Sequence, residues 1–259
     1  MWASHGVNFR LLNFEFLNFE FAMSNQYFQF KQFRIEQERC AMKVTTDACI
    51  QGAWTPVLPH VKRVLDIGAG TGLLALMLAQ RNPDIIIDAI ELDSDAAGQA
   101  RENIAASAWK DRIQVLEGNV CNYPFTEKYD LIISNPPFFN NSLQSDKANK
   151  NMARHTNTLS YKDLIQVVND NLQDDGYVSI LLPYPEYFIW KDLLQEGGWN
   201  EIDKLAIRHR HEAAVKRIVS LFSKQEIAAV KEHILIIQDS DGNYTPEFTD
   251  LLSPYYLDL

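Results

Sequence analysis

The sequence is poor in cysteine, in net positive charge and in long apolar runs. Its three cysteines, Cys40, Cys49 and Cys121, are odd in number and form no Cys-x-x-Cys, which predicts reduced thiols in a cytoplasmic protein. No apolar run approaches the length that spans a membrane, and the amino terminus lacks the basic and apolar regions of a signal peptide. The formal net charge of −10 argues against coating of nucleic acid by bulk electrostatics, although it leaves room for a local basic patch.

The composition otherwise predicts a folded domain with a real core, because 46% of the 259 residues are hydrophobic and 22% are charged. Between residues 63 and 196, short apolar runs alternate with helical patterns, which indicates right-handed crossovers and a doubly wound, mostly parallel α/β sheet. After residue 200, three apolar runs follow without a long helix, and we expect them to form an antiparallel edge. We interpret residues 1–22, which contain a tandem Leu-Asn-Phe-Glu-Phe copy, as a leader of unclear origin for which disorder is one interpretation, and residues 23–259 as a single domain.

A glycine-rich turn joins the first strand of this pattern to the following helix. Gly68, Gly70 and Gly72 follow the spacing G-x-G-x-G, and glycines let the backbone pass close to a ligand. The dinucleotide fingerprint requires glycine or alanine at the position after Gly72, but this position is Leu73. The sequence therefore does not favour binding of a pyrophosphate group at this turn. Asp66, near the end of the strand, is expected close to a cation or an amine.

Two further polar residues follow the next strands of the pattern. Glu91 ends the second strand, 19 residues after Gly72. An acidic side chain at such a place in nucleotide-binding βαβ units accepts hydrogen bonds from the ribose hydroxyls. Asn119 follows the third strand, where it is either a ligand contact or a residue that the turn itself favours.

The next strand of the pattern ends in Asn135-Pro136-Pro137-Phe138. The two prolines cannot donate to a sheet ladder, and they restrict the backbone. The Asn135 oxygen and a neighbouring backbone carbonyl can together accept both hydrogens of an NH2 group. Phe138 offers a flat face on which a base or an amide can stack. The alternative interpretation is a proline-rich turn with a buried phenylalanine.

The glycine turn resembles the AdoMet-binding motif of the Rossmann-like methyltransferases. Asn-Pro-Pro-Phe resembles the motif of the amino-methyltransferases, which act on adenine N6, cytosine N4 or protein glutamine. Residues 27–259 further resemble the tRNA1(Val) adenine-37 N6-methyltransferases. The motifs that carry this last resemblance are Phe30-Lys31-Gln32-Phe33, Met42-Lys43-Val44-Thr45-Thr46-Asp47, Gly52-Ala53-Trp54, Asn-Pro-Pro-Phe-Phe, Ala153-Arg154-His155 and Tyr255-Tyr256-Leu257.

This resemblance implies a seven-stranded, Rossmann-like methyltransferase sheet with S-adenosyl-L-methionine (AdoMet) as cofactor and tRNA as substrate. It implies that the segment 43–47 closes over the cofactor, with Thr46 among the contacts, and that Asn119 lies beside the cofactor adenine. Asn135 and the Pro136 carbonyl would hold the target amine while Phe138 stacks on the base. The nitrogen lone pair then points at the methyl group, so that positioning and electrostatics drive the transfer.

Basic side chains are the candidates for contacts with the tRNA phosphates. These candidates, with one neighbouring histidine, are Lys43, Lys147, Lys150, Arg154, His155, Arg208 and Arg217. His209 and His211 have no third ligand in view, so no metal site is expected. Two alternatives stay open at this point: an N5-glutamine methyltransferase of a release factor, and a non-catalytic AdoMet-binding module. We expect a monomer that has no contact with membranes.

Overall fold

The computed structural model describes residues 26–137 and 159–259. The ten strands within these ranges are β1 (Tyr27–Gln29), β2 (Arg34–Glu36), β3 (Arg63–Ile67), β4 (Ile86–Glu91), β5 (Ile113–Glu117), β6 (Tyr129–Ser134), β7 (Leu172–Pro183), β8 (Asn200–Arg210), β9 (Arg217–Ser223) and β10 (Lys231–Gln238). The six α-helices there are α1 (Thr46–Trp54), α2 (Leu73–Arg81), α3 (Ser94–Ala105), α4 (Tyr161–Asn171), α5 (Tyr184–Glu196) and α6 (Pro246–Leu252). None of these helices is both long and apolar enough to cross a membrane.

Eight of the strands form one sheet in the order β10-β8-β9-β7-β6-β3-β4-β5, while β1 and β2 form a separate antiparallel hairpin. The five strands from β5 to β7 are parallel, and β9 runs antiparallel to both of its neighbours. The predicted Rossmann-like, mostly parallel sheet is therefore confirmed.

The carboxy-terminal edge differs in detail from the expectation of seven strands with an antiparallel edge. The sheet has eight strands, and its edge strand β10 pairs with β8 in parallel. The chain does reverse direction after β9, but β8 already occupies the place beside β9. The returning strand therefore adds outside β8 and runs parallel to it.

The two faces of the sheet are covered by different helices. Helices α1, α2 and α6, with part of α3, pack on one face together with the β1–β2 hairpin. Helices α4 and α5 pack on the other face, where Trp190 and Tyr187 are buried. This two-sided coverage explains why the central strands are mostly apolar instead of alternating between apolar and polar residues.

Local sequence signals set two of the helix starts. The sequence offers Ser94 or Asp93 as the cap of α3, and in the structure the Asp93 side chain accepts a hydrogen bond from the backbone N–H of Ala96. Ser160 and Asp163 form a reciprocal capping box at the start of α4. Helix α4 thus begins close to the carboxyl end of β6.

Candidate functional site

A cavity of about 550 Å³ opens at the carboxyl ends of four adjacent parallel strands. Its wall contains Gly68 and Gly70 after β3, Glu91 at the end of β4, Asn119 after β5 and Asn135 after β6. The structure thus brings together residues from four separate motifs of the sequence. Open α/β sheets bind ligands at this edge, where the strand order reverses.

The glycine turn has three residues in the left-handed region, with φ of 72° at Gly68, 53° at Gly70 and 81° at Gly72. A Cβ atom at Gly68 would meet no heavy atom within 4 Å, and one at Gly70 would meet only the Gly68 carbonyl oxygen at 3.9 Å. These two glycines therefore leave open space beside the cavity. Gly72 does not line the cavity, and a Cβ there would lie 3.4 Å from the Ile104 side chain, so its role is the close packing of the turn against α3.

Glu91 is held by backbone donors on both sides of its carboxylate. The N–H of Gly70 donates to one oxygen at 2.8 Å, and the N–H of Asp93 donates to the other at 2.9 Å. A carboxylate has about four acceptor positions, so capacity remains for two ribose hydroxyls. This pairing ties the end of β4 to the glycine turn and orients the carboxylate before any ligand arrives.

Asp66 lies beneath the glycine turn and does not line the cavity. One carboxyl oxygen accepts a hydrogen bond from the N–H of Ala75, in the first turn of α2, at 3.2 Å, while the other oxygen is buried without a partner. Burial, with a smaller contribution from Glu91, raises the pKa of this carboxyl to about 7, and the Ala75 hydrogen bond opposes the rise. The sequence predicts that Asp66 lies close to a cation or an amine, but in the structure this residue is not part of the cavity wall.

Asn119 and Lys43 both line the cavity, whereas Thr46 does not. The Asn119 oxygen accepts a hydrogen bond from the N–H of Cys121 at 3.0 Å and so starts a short 3-10 helix. Asn119 therefore stabilises the turn after β5, as one of its two interpretations predicts. Its position in the wall is equally consistent with a ligand contact. Thr46, predicted as a cofactor contact, lines a second cavity on the other side of the first turn of α1.

These residues fit the AdoMet that the glycine motif implies. The cavity volume of about 550 Å³ lies within the range of about 300–1,000 Å³ that is usual for small-molecule sites. Apolar side chains such as Ile90 and Leu92 line it beside the Glu91 carboxylate, which suits a nucleoside with a planar base and two hydroxyls. The open space beside Gly68 and Gly70 allows close approach of a bulky ligand.

Asn135 presents an acceptor that has no partner. Its side-chain oxygen is buried and makes no hydrogen bond, and its nitrogen lies 4.0 Å from the Met42 sulfur. An unpaired buried acceptor of this kind costs about 1–3 kcal/mol. Because the residue lines the cavity, its side chain lies beside any ligand that fills the cavity.

Side chains that the sequence analysis did not single out position Asn135. The amide of Gln51, in α1, is fully buried and donates to the Ser134 carbonyl at 2.9 Å, one peptide before Asn135. The Ser134 hydroxyl donates to the Ile67 carbonyl at 2.9 Å. The signal that would have identified Gln51 is a polar side chain in the otherwise small and apolar segment from Ala48 to Ala53.

Pro136 and Pro137 also line the cavity, next to Asn135. Several predicted residues lie outside the described ranges, and the structure does not place them. They are Phe138 of the catalytic group and the substrate candidates Lys147, Lys150, Arg154 and His155.

The two remaining basic candidates lie at the same edge of the sheet but on opposite faces. Side chains alternate along a strand, and Arg217 shares its face with Val219, in the core beneath α1. Arg208 follows Ile207, which is in that same core, and therefore faces the α5 side. The Arg217 Nε atom lies 3.6 Å from an Asp47 carboxyl oxygen.

The second cavity, of about 320 Å³, lies beside this Asp47–Arg217 pair. It is lined by Thr46, Asp47, His209, Ile237, Gln238 and Tyr244. Burial raises the pKa of the Asp47 carboxyl, and the neighbouring Arg217 guanidinium opposes that rise. Within residues 26–137 and 159–259, no three His, Cys, Asp or Glu side chains are grouped so as to hold a metal ion.

Comparison with known proteins agrees with this arrangement. Residues 54–180 match the family model described as the methyltransferase small domain. The chain shares the fold of a predicted O-methyltransferase from Agrobacterium tumefaciens, with a TM-score of 0.60 and 20% identity over 82% of this chain and all of the other. It also shares that fold with a ribosomal protein L11 methylase from Lactobacillus delbrueckii, with a TM-score of 0.52 and 16% identity over 74% of this chain and 84% of the other.

Sequence relatives are much closer. The chain is 40% identical to the tRNA1(Val) (adenine(37)-N6)-methyltransferase of Dyadobacter fermentans over 90% of its own length and 98% of that protein. It is 41% identical to the enzyme of the same name from Tolumonas auensis, over 91% and 98% of the two chains. This chain therefore belongs to the tRNA1(Val) (adenine(37)-N6)-methyltransferase family.

Proposed function

We propose that this protein transfers a methyl group from AdoMet to N6 of an adenine in tRNA, and that the target is adenine 37 of tRNA1(Val). The observation that carries this proposal is the unpaired, buried oxygen of Asn135 in the wall of the large cavity. An amino group is the ligand that an amide oxygen beside a proline carbonyl accepts best, because it offers two donors. The names of the relatives in the family support tRNA as the molecule that carries this amine.

The cofactor end of the cavity is formed by the glycine turn, Glu91 and Asn119. In this proposal the Glu91 carboxylate accepts the ribose hydroxyls, and Asn119 lies beside the adenine ring. Gly68 and Gly70 keep the backbone clear of the rest of the cofactor. When bound, AdoMet supplies an electrophilic methyl group on a positively charged sulfur.

At the other end of the cavity, Asn135 and the Pro136 carbonyl would accept the two N–H bonds of the adenine amine. The lone pair of that amine is normally delocalised into the ring, which makes it a weak nucleophile. Two acceptors below the amine favour a pyramidal nitrogen and orient its lone pair towards the cofactor. Gln51 and Ser134 hold the backbone that carries these acceptors, so the residues contribute orientation more than acid–base chemistry.

Substrate binding in this proposal uses basic side chains around the cavity mouth. Lys43 lines the cavity, and Arg208 and Arg217 lie further along the same edge of the sheet. Lys147, Lys150, Arg154 and His155 complete the proposed set. Residues 23–259 would act as one methyltransferase domain, as a monomer, in the cytoplasm where tRNA is modified.

Methyl transfer from tritiated AdoMet tests this proposal against its alternatives. Unmodified tRNA1(Val) transcript, release factor protein and DNA are offered side by side, followed by mass spectrometry of the digested nucleosides. We expect label only in tRNA, as N6-methyladenosine, and no transfer to a transcript in which adenine 37 is replaced by guanine. Label in release factor and none in tRNA would establish the glutamine methyltransferase alternative. AdoMet binding without any transfer would establish the non-catalytic one.

A further inference from the structure

The segment Asn135-Pro136-Pro137 after β6, which is the catalytic loop of the proposed function, divides the edge of the sheet into two parts. The large cavity lies over β5, β4, β3 and β6, and Asn135 stands at its end. Beyond Asn135, the sheet continues through β7, β9, β8 and β10. The second cavity lies over this continuation, because His209 is in β8, and Ile237 and Gln238 are at the end of β10. It is thus on the substrate side of the catalytic loop.

The first turn of α1 separates the two cavities. Ala48 lines the large cavity, while Thr46 and Asp47 line the second. Gln51, one turn after Asp47 in this helix, donates to the Ser134 carbonyl next to Asn135, so about 6 Å along the helix axis separates Asp47 from the residue that contacts this backbone. A ligand that fills the large cavity and continues past Asn135 along this edge therefore runs towards the second cavity.

The lining of the second cavity combines the groups that recognise a nucleotide. Tyr244 is 45% exposed, and its ring stacks on Phe248 with centroids 4.7 Å apart, which holds its orientation. The Asp47 carboxylate and the Gln238 amide offer polar partners for the edge of a base. The His209 imidazole offers a donor for a phosphate, and Arg217, which is outside the lining, pairs with Asp47.

We propose that the second cavity binds the nucleotide next to the target adenine in the RNA substrate. This inference rests on the proposed function and adds a specific subsite to it. A base in an anticodon loop must leave its stack to enter an active site. Flipping removes the stacking partner of the neighbouring base as well, and the Tyr244 ring replaces that partner. The volume of about 320 Å³ is large enough for a single base and small for anything longer.

A double-mutant cycle between protein and RNA tests the subsite. The RNA is a stem-loop carrying the target adenine, with an abasic nucleotide placed on its 5′ or its 3′ side in two further versions. Binding is measured for wild type, Tyr244→Ala and His209→Ala in the presence of S-adenosylhomocysteine. Tyr27→Ala and His60→Ala are matched controls, because Tyr27 is 40% exposed in the hairpin and His60 is exposed before β3 at the opposite edge.

We expect Tyr244→Ala to weaken binding of the intact RNA by about 5- to 150-fold, the factor that stacking on an aromatic ring contributes per base. One of the two abasic RNAs lacks the base that stacks on Tyr244. Wild type should bind this RNA more weakly than the intact RNA by the same factor, whereas Tyr244→Ala should bind the two RNAs with equal affinity. His209→Ala should weaken binding of every RNA version by about the same factor, and this factor should be smaller than the effect of Tyr244→Ala on the intact RNA. The two control variants should bind like wild type. Unchanged affinity for AdoMet establishes that each variant is folded.

Additive losses at both flanking positions, or wild-type affinity in Tyr244→Ala and His209→Ala, would overturn the subsite. Either result leaves the proposed function intact as long as wild type methylates the transcript. If wild type transfers no methyl group to any tRNA, the proposed function fails first.

Discussion

The two ends of the large cavity differ in how their polar side chains are paired. At the cofactor end, both oxygens of Glu91 accept backbone hydrogen bonds, and the Asn119 oxygen accepts one from Cys121. At the catalytic end, the Asn135 oxygen is buried and has no partner. These polar groups in the wall of the cofactor end are therefore paired by the protein alone, whereas in the proposed function a donor from the substrate completes the catalytic end.

This difference has an energetic meaning. A buried acceptor without a hydrogen bond costs about 1–3 kcal/mol, which the folded protein bears in the absence of substrate. A substrate amine that donates to Asn135 recovers this free energy, and an amine-free ligand does not. Other buried polar atoms, such as the Trp190 indole nitrogen and the Ser220 hydroxyl, also lack a partner, and Asn135 differs from them because it lines the cavity.

The largest expected effect is on the free energy of unfolding, and it comes from Asp66. This residue is an exception to the pairing at the cofactor end, because one of its oxygens is buried beneath that end without a partner. Its pKa rises from an ordinary 3.8 to about 7 in the folded protein. The folded state then binds this proton more tightly than the unfolded state, so stability falls as pH rises from about 4 to 7 and stays low above that. The total loss is at most about 4 kcal/mol.

Urea unfolding of wild type and Asp66→Asn between pH 4 and pH 8 measures this loss. The stability of wild type relative to Asp66→Asn should decrease from pH 4 to about pH 7 and change little from there to pH 8. Asp84→Asn, at a side chain that is 68% exposed, controls for the substitution itself. A difference between wild type and Asp66→Asn that is independent of pH would show that the Asp66 carboxyl is not perturbed.

At the catalytic end, Asn135→Ala should lower kcat by roughly 10²–10³-fold, the usual effect of removing one polar group that acts in the transition state. AdoMet affinity should stay near that of wild type, because Asn135 belongs to the substrate side of the cavity. Single-turnover methyl transfer and calorimetric titration separate these two quantities. Asn122→Ala, in the short helix after β5, is the control, and a variant of Asn135 that keeps most of its rate would remove this residue from the mechanism.

At the cofactor end, Glu91→Ala should weaken AdoMet binding by about 10- to 150-fold, since hydrogen bonds to a charged group contribute about 1.5–3 kcal/mol. The matched control is Glu117→Ala. Glu117 pairs with Glu91 across β4 and β5, but its carboxylate lies 3.0 Å from Arg101 and does not line the cavity. Calorimetry should show normal AdoMet affinity for Glu117→Ala, and equal affinity in both variants would refute the ribose assignment.

The smallest effect is expected on the substrate side, at Arg208. Arg208→Ala should raise the KM for tRNA a few-fold and reduce the slope of log affinity against log salt by about 1, the amount expected for one phosphate contact. AdoMet affinity should not change. Lys128→Ala, before β6 at the opposite edge of the sheet, should leave the salt dependence as it is in wild type. An unchanged slope in Arg208→Ala would exclude this residue from the RNA contacts.

The sequence by itself determined the features that depend on neighbouring residues. The apolar runs Arg63–Ile67 and Ile113–Glu117 by themselves predict two strands, and the structure has strands with these bounds. Apolar runs, capping residues and a glycine spacing act within a few residues, so they can be interpreted without knowledge of the rest of the chain. The parallel sheet follows from them because alternating strands and helices leave one favourable handedness of crossover.

Only the tertiary structure decided how distant segments meet. The parallel pairing of β10 with β8 depends on which place in the sheet is still free, and a period of two is the same for either direction. Gln51 reaches Ser134 from a separate helix, and Thr46 shares a cavity with Tyr244 from the far end of the chain. Asp66, which the sequence placed beside a ligand, lies buried beneath the turn, because the side-chain direction at a strand end depends on the packing of the helix that follows.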